Sequence, residues 1–203
     1  MGFVEYWETQ PRLTGSSEAA LGEAAEKAQS KALFREVVET LLLTVIIFLA
    51  VNAATGRFRI EGTSMYPTLQ DGQYVIVSKI SYLFSKPQRG DIIVFIPPND
   101  RHRDFIKRII GLPGDHIEIR NGIVFVNGVQ LYEPYINGPG YYSDDRTLGP
   151  DEYYVLGDNR ANSSDSHNWG VLPGQNIIGK AWLSYWPLDR IGLVPHASYA
   201  AGP

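Results

Sequence analysis

The chain has 203 residues, 44% of them hydrophobic and 12% aromatic, enough for one sizeable core in a single domain of about 145 residues once the first ~55 are set aside. Its formal net charge of −4 argues against a nucleic-acid protein, although the local run RHRDFIKR could be mistaken for a phosphate-binding patch. Without cysteine it cannot form disulfides, use a thiolate or hold zinc through sulfur, and His102, His116, His167 and His196 lack the spacing of a metal site such as HExxH.

Residues 17–39 are rich in Ala, Glu and Lys and read as a solvated helix. It leads into TLLLTVIIFLAVNAATG at 40–56, which carries no charge. That run makes roughly 26 Å of helix, and Val37 and Val38 bring it close to the ~30 Å hydrocarbon thickness. The expected organisation is therefore a partly helical segment over 1–36, a single membrane anchor over 37–56 and a separate domain over 57–203. A buried core helix would show a polar face, which is missing between Leu41 and Ala50. A cleavable signal sequence would not carry about 39 residues before its apolar core. Charge does not fix the orientation, because Lys27, Lys31 and Arg35 precede the span while Arg57 and Arg59 follow it.

Beyond Arg57 the helical pattern gives way to short apolar runs broken by Gly, Pro and Asp. Strands are expected at 73–80, 91–96, 104–110, 152–156 and 177–186. HIEIR, Asn121-Gly122 and IVFVN spell a hairpin, since Asn-Gly readily takes the positive φ angles of a type I′ turn. The segment 137–151, NGPGYYSDDRTLGPD, is the one expected to lack regular structure. The region is mainly β.

Two residues in this region carry chemistry. Ser64 stands in GTSMYPTL (62–69), where Gly62 lets the backbone approach closely and Pro67 fixes φ, so the hydroxyl can sit on a defined turn. Thr63 and Thr68 read as turn-stabilising hydroxyls. Lys107 lies in DFIKRIIGLPGD (104–115); at strand spacing it shares a face with Phe105 and Ile109, while Ile106, Arg108 and Ile110 share the other. A serine needs a base to attack a carbonyl, and a lysine becomes one only when desolvation lowers its pKa. The plain alternative is a surface lysine on an edge strand. A third segment, GDNRANSSDSHNWG (157–170), fails as a calcium loop: Arg160 stands where an oxygen ligand is needed and Ser163 where glycine is needed.

Together with RGDIIVF (89–95), these segments resemble, in order, the sequence boxes of type I signal peptidases, membrane-bound Ser/Lys proteases that remove signal peptides from exported proteins. The resemblance runs from about residue 40 to about residue 192. It implies a coiled β-sheet catalytic domain behind an N-terminal transmembrane helix, with the N-terminus cytoplasmic and the catalytic domain on the trans side, periplasmic or thylakoid-lumenal. Ser64 would be the nucleophile, its backbone N–H an oxyanion donor, and Lys107 the general base. Some relatives carry a serine as second donor where this chain has Gly62, leaving a backbone amide, a water or the Thr63 hydroxyl for that role. Around the dyad, Ser163 would hydrogen-bond the lysine and Asp165 would pair with the basic residue two positions on, with Asp158 and Arg160 in the same supporting segment. That basic residue is His167, a side chain type that changes charge near neutral pH and that is more typical of cyanobacterial and plastid members.

By the same resemblance Phe58, Ile60, Met65, Leu69, Val75, Val94, Phe105 and Ile106 would line shallow S1 and S3 pockets for small side chains, with ordinary core packing the alternative for each. The peptide would bind extended along strand edges. No cofactor or metal is expected. The expected partners are preprotein signal peptides, the lipid bilayer and the protein translocation machinery. Two rivals stand beside this reading: a self-cleaving Ser/Lys repressor of related fold, disfavoured by the missing DNA-binding helices, and an inactive membrane-tethered β-domain that only binds exported peptides.

Overall fold

The computed structural model describes residues 15–199; the first 14 positions of the expected segment 1–36, and residues 200–203, lie outside it. The chain divides between Ala50 and Val51 into two compact units.

A single helix, α1 (Gly15–Ala54), contains both the Ala/Glu/Lys-rich stretch and the apolar run. It is long and apolar enough to cross a membrane. The two threonines of the helix's apolar run need no outside partner: Thr40 and Thr44 donate to the carbonyls of Glu36 and Thr40, at 2.8 Å each. The helix stops at Ala54, so Thr55 and Gly56, expected at the end of the anchor, instead open the first strand.

The strands are β1 (Thr55–Arg59), β2 (Tyr74–Ser78), β3 (Ile92–Phe95), β4 (Phe105–Gly111), β5 (His116–Arg120), β6 (Ile123–Val126), β7 (Val129–Gln130), β8 (Asp144–Thr147), β9 (Glu152–Leu156), β10 (Leu172–Pro173), β11 (Ile177–Trp186) and β12 (Gly192–Leu193). Two short helices interrupt them, α2 (Ser81–Phe84) and α3 (Ser166–Trp169). The larger sheet runs β1-β2-β11-β3-β4-β9-β10, with β12 on β11, and the smaller runs β7-β6-β5-β8. All pairings are antiparallel. β11 is the hinge of the larger sheet. It pairs with both β2 and β3, and its register shifts at Ile177/Gly179, Ala181/Leu183 and Ser184/Trp186 bend the sheet, as extra residues in one strand do.

Burial follows from the residue pattern. β3 is four apolar residues, all buried, because both of its faces are covered. In β5 only Ile117 and Ile119 turn inward, and they pack with Val124 and Val126 of β6 against Ile110, Tyr154 and Leu156 of the larger sheet. Burying each such side chain contributes about 1.5–3 kcal/mol, and this shared core fixes the small sheet on the large one.

A further departure from expectation is β8, which lies inside the segment 137–151. Asp144 and Asp145 have poor strand propensity, but the free edge of β5 supplies the backbone partners. The acidic side chains are also committed: the Tyr154 hydroxyl donates to Asp144 at 2.6 Å and His116 Nε2 meets Asp145 at 2.9 Å.

The hairpin between β5 and β6 turns at Asn121 (φ 50°) and Gly122 (φ 78°). A Cβ on Gly122 would fall 1.8 Å from the Gly140 carbonyl oxygen, whereas at Gly128 (φ 79°), between β6 and β7, it would meet open space. Gly128→Ala therefore carries only the left-handed penalty of about 1–2 kcal/mol. Gly122→Ala adds a backbone clash and should cost about 3 kcal/mol or more. Thermal melts of the two variants test this, and the Gly122 variant should show clearly the larger drop in Tm.

Candidate active site

Lys107 is the third of the seven residues of β4, only 4% exposed. Its amine lies 2.8 Å from Ser64 Oγ and donates to its own neighbour's carbonyl, Ile106 O, at 2.9 Å. The Phe105 ring stands 5.3 Å from the amine on the same strand face, as the alternation predicts. Burial pulls the Lys107 amine down to about 8 from its ordinary 10.5, against the opposing fields of Asp165 and Asp158. A neutral amine can accept the Ser64 proton, which is the chemistry of an activated nucleophile.

Ser64 sits on a turn held from two sides. Gly62 takes φ +83° and its N–H donates to Asp71 Oδ1 at 2.8 Å. A Cβ there would meet nothing within 4 Å, so the glycine serves the positive φ rather than a close backbone approach. From the other side, the Asn159 N–H donates to Ser64 O (3.0 Å) and its amide to Thr63 O (3.1 Å). The Asn162 amide donates to Thr63 Oγ1 at 2.8 Å. The Ser64 N–H has no acceptor among the described residues. The Tyr66–Pro67 peptide is cis.

The segment 157–170 is itself pinned by buried charge. Arg108, 1% exposed, grips Asp158, 0% exposed, through two parallel bonds of 2.9 and 2.8 Å. Arg160 forks onto Glu133, with one bond at 2.9 Å, and donates to Gly157 O at 3.0 Å. Asp165 caps α3, accepts the Gly157 N–H at 2.9 Å and meets His167 Nδ1 at 2.6 Å. The His167 ring stacks on Tyr142 at 3.9 Å and 9°. Asp158, Arg160, Asp165 and His167 are thus brought together, but Ser163 does not join the lysine. Its hydroxyl is buried with no partner among the described residues. It is packed against Gly157, where a Cβ would lie 2.3 Å from Ser163 Oγ.

A cleft of about 370 Å3 opens beside the pair, lined by Phe58, Ile60, Val94, Phe105, Ile106, Ser64, Lys107 and Ser164, with Arg59, Glu61, Arg103 and Asp104 also reaching it. Five of the eight residues expected to line the pockets are there. Met65, Leu69 and Val75 are not: at 1%, 2% and 0% exposure they belong to the core that also contains Ile60 and Val94. Sequence reasoning missed Arg108, Glu133, Asn159 and Asn162. Only Arg108, adjacent to Lys107 in an apolar strand, carried a local signal, since an arginine buried on both faces must find a carboxylate.

Known proteins place this geometry in context. The family described as signal peptidase, peptidase S26, matches residues 33–186. Signal peptidase I of Leptolyngbya laminosa is 42% identical over 186 residues, covering 87% of this chain and 92% of that one. Probable signal peptidase I-2 of Synechocystis sp. is 43% identical over 166 residues, 78% of this chain and 76% of that one. Thylakoidal processing peptidase 1, chloroplastic, of Arabidopsis thaliana is 41% identical over 143 residues, 65% of this chain and 42% of that one. The resemblance to cyanobacterial and plastid members holds. With a family match over most of its length and relatives of this identity, the chain belongs to the signal peptidase family, peptidase S26.

Proposed function

We propose that the chain is a membrane-anchored serine endopeptidase that removes signal peptides from exported preproteins, cutting after a small-x-small sequence. The observation that carries this reading is the buried Lys107 amine 2.8 Å from Ser64 Oγ at the wall of an apolar cleft. An inactive peptide-binding domain would have no use for a lysine held partly neutral at a cost in desolvation.

Neutral Lys107 takes the Ser64 proton as Oγ bonds to the scissile carbonyl carbon, and the Ser64 N–H stabilises the oxyanion. The lysine then gives that proton to the departing amine, leaving an acyl-serine. In the second half Lys107 takes a proton from water as the water attacks the ester, and returns it to Ser64 Oγ as the signal peptide leaves. Asp158, Arg160, Asp165 and His167 keep the 157–170 segment against the Ser64 turn. Phe58, Ile60, Val94, Phe105 and Ile106 form the wall that admits small side chains.

The part of α1 from about Val37 onward spans the bilayer. Its N-terminal side is cytoplasmic and residues after the helix work on the trans side, where the translocation machinery delivers preproteins. The helix's length and apolar character support the span, and membership of the family supports the orientation.

In detergent, the full chain should cleave a preprotein with alanine at P1 and P3, and Ser64→Ala or Lys107→Ala should each lower kcat by about a thousandfold or more with folding intact by circular dichroism. Near-normal turnover by either variant removes the dyad.

The base works only when neutral, so kcat should rise with pH, half-maximal near the Lys107 value of about 8 and falling about tenfold per pH unit well below it. A flat profile between pH 6 and 9 contradicts this role.

With phenylalanine in place of alanine at P1, kcat/KM should drop at least about tenfold, because the cleft wall is crowded. Equal rates would show that the cleft is not the S1 site.

A further inference from the structure

Residues 194–199 lie beyond the family match, which ends at residue 186, and they bind back onto the catalytic unit at several points. The Val194 N–H donates to Trp182 O at 2.9 Å and the Ala197 N–H to Gly90 O at 3.2 Å. The Tyr199 hydroxyl is 2.8 Å from that of Tyr135 and donates to Tyr132 O at 3.1 Å. The seat at Gly90 is close: a Cβ there would fall 2.0 Å from Ala197 O.

Between these anchors stands His196, with both ring nitrogens engaged by backbone. The Ile92 N–H donates to Nδ1 at 3.0 Å, which requires that Nδ1 carry no proton. Nε2 is then the protonated nitrogen and donates to Ala181 O at 2.9 Å. Only the neutral ring, in one tautomer, satisfies both contacts.

The same segment covers Arg108. The Arg108 Nη1 donates to Gly90 O at 2.9 Å and to Pro195 O at 3.4 Å, and the Tyr135 ring lies 3.9 Å from the guanidinium carbon. Arg108 follows Lys107 in β4 and holds Asp158, whose neighbour Asn159 grips the Ser64 turn. A continuous set of contacts therefore runs from His196 to both members of the dyad.

We propose that residues 194–199 form a strap latched by the neutral ring of His196, that the strap holds Arg108 on Asp158, and that His196 is thereby a positioning residue for Ser64 and Lys107. The proposal rests on the Ser/Lys reading above. A proton on Nδ1 would face the Ile92 N–H and leave it unpaired. Burial above all holds the imidazole below its ordinary range, and Lys180 and Arg108 also disfavour the cation. Asp91 favours it, with Oδ1 4.0 Å from Nδ1, but that carboxylate already serves Lys180 (2.6 Å), the Tyr82 hydroxyl (2.9 Å) and the Gln88 N–H (3.0 Å). The open strap binds this proton more readily than the closed one, so closure is fully favoured above the ordinary histidine range, weakens as pH falls below it, and is lost as pH falls through the depressed value of the closed form.

The test compares wild type, His196→Ala and His196→Asn as full chains in detergent, reading kcat and KM against pH for a preprotein with alanine at P1, and amide hydrogen exchange of residues 157–162 and 194–199. His196→Ala should lower kcat about tenfold with KM changed less than about twofold, and speed exchange in both segments. His196→Asn, whose carbonyl still accepts from the Ile92 N–H and does not titrate, should recover most of that rate. Its acid limb should follow Lys107 alone, about tenfold per pH unit, where wild type falls more steeply. Superimposable profiles for wild type and His196→Asn, or an unchanged kcat in His196→Ala with a fast-exchanging strap, overturn the proposal. If the wild-type chain cleaves no preprotein, the peptidase reading is what has failed. Exchange still decides the latch then: acid-induced opening of 157–162 that is missing in His196→Asn supports it, and equal opening in both sinks it.

Discussion

The catalytic unit is organised around one demand, that an amine be kept out of water without being recharged by the carboxylates nearby. Lys107 is buried at the third position of a seven-residue strand, and the two acidic groups that push its proton affinity back up are Asp165 and Asp158. At short range in a protein interior a free carboxylate contributes several kcal/mol, enough to cancel desolvation. Neither carboxylate is free. Asp158 is neutralised by the bidentate Arg108, and Asp165 is spread over the Gly157 N–H, the start of α3 and the His167 ring. With both fields weakened locally but not abolished, burial outweighs them, and the amine ends near the value a base needs.

The same charge network also positions the partner. Gly157, Asp158, Asn159 and Arg160 are consecutive: Asp158 and Arg160 are anchored through Arg108 and Glu133, while Asn159 between them holds Ser64 O and Thr63 O. Removing one member of the buried Arg108–Asp158 pair would leave a charge uncompensated, about 3–5 kcal/mol. It would also release the segment that fixes the Ser64 turn. The ion pairs act less as net stabilisers than as a way to give one short loop a single position.

Local pattern revealed much of this and missed the rest for identifiable reasons. Short apolar runs gave seven of the strands, and Asn121-Gly122 gave the hairpin, because alternation and turn chemistry are properties of adjacent residues. β8 was hidden because its strand character comes from the edge of β5 and not from Asp144–Thr147 themselves. Ser64 and Lys107, 43 positions apart, were found through their flanks and the resemblance those flanks carry. Arg108–Asp158 and Arg160–Glu133 join residues 50 and 27 positions apart, and nothing local says which carboxylate a buried arginine will meet. For the pocket, apolar character alone cannot tell a residue that faces the cleft, such as Phe105, from one in the core behind it, such as Met65.

The glycine at position 62 shows how the turn divides its donors. Its N–H is already given to Asp71, so that amide is not available to a developing oxyanion. The Ser64 N–H, in contrast, has no acceptor among the described residues. Thr63 Oγ1 receives the Asn162 amide, which leaves the hydroxyl's own proton to be donated elsewhere. Under the proposed chemistry, one preorganised backbone donor supplies about 3 kcal/mol of transition-state stabilisation. The left-handed glycine therefore contributes by shaping the turn, and the contacts to Asp71, Asn159 and Asn162 hold that turn in one position, leaving the Ser64 amide as the donor that the proposed chemistry requires.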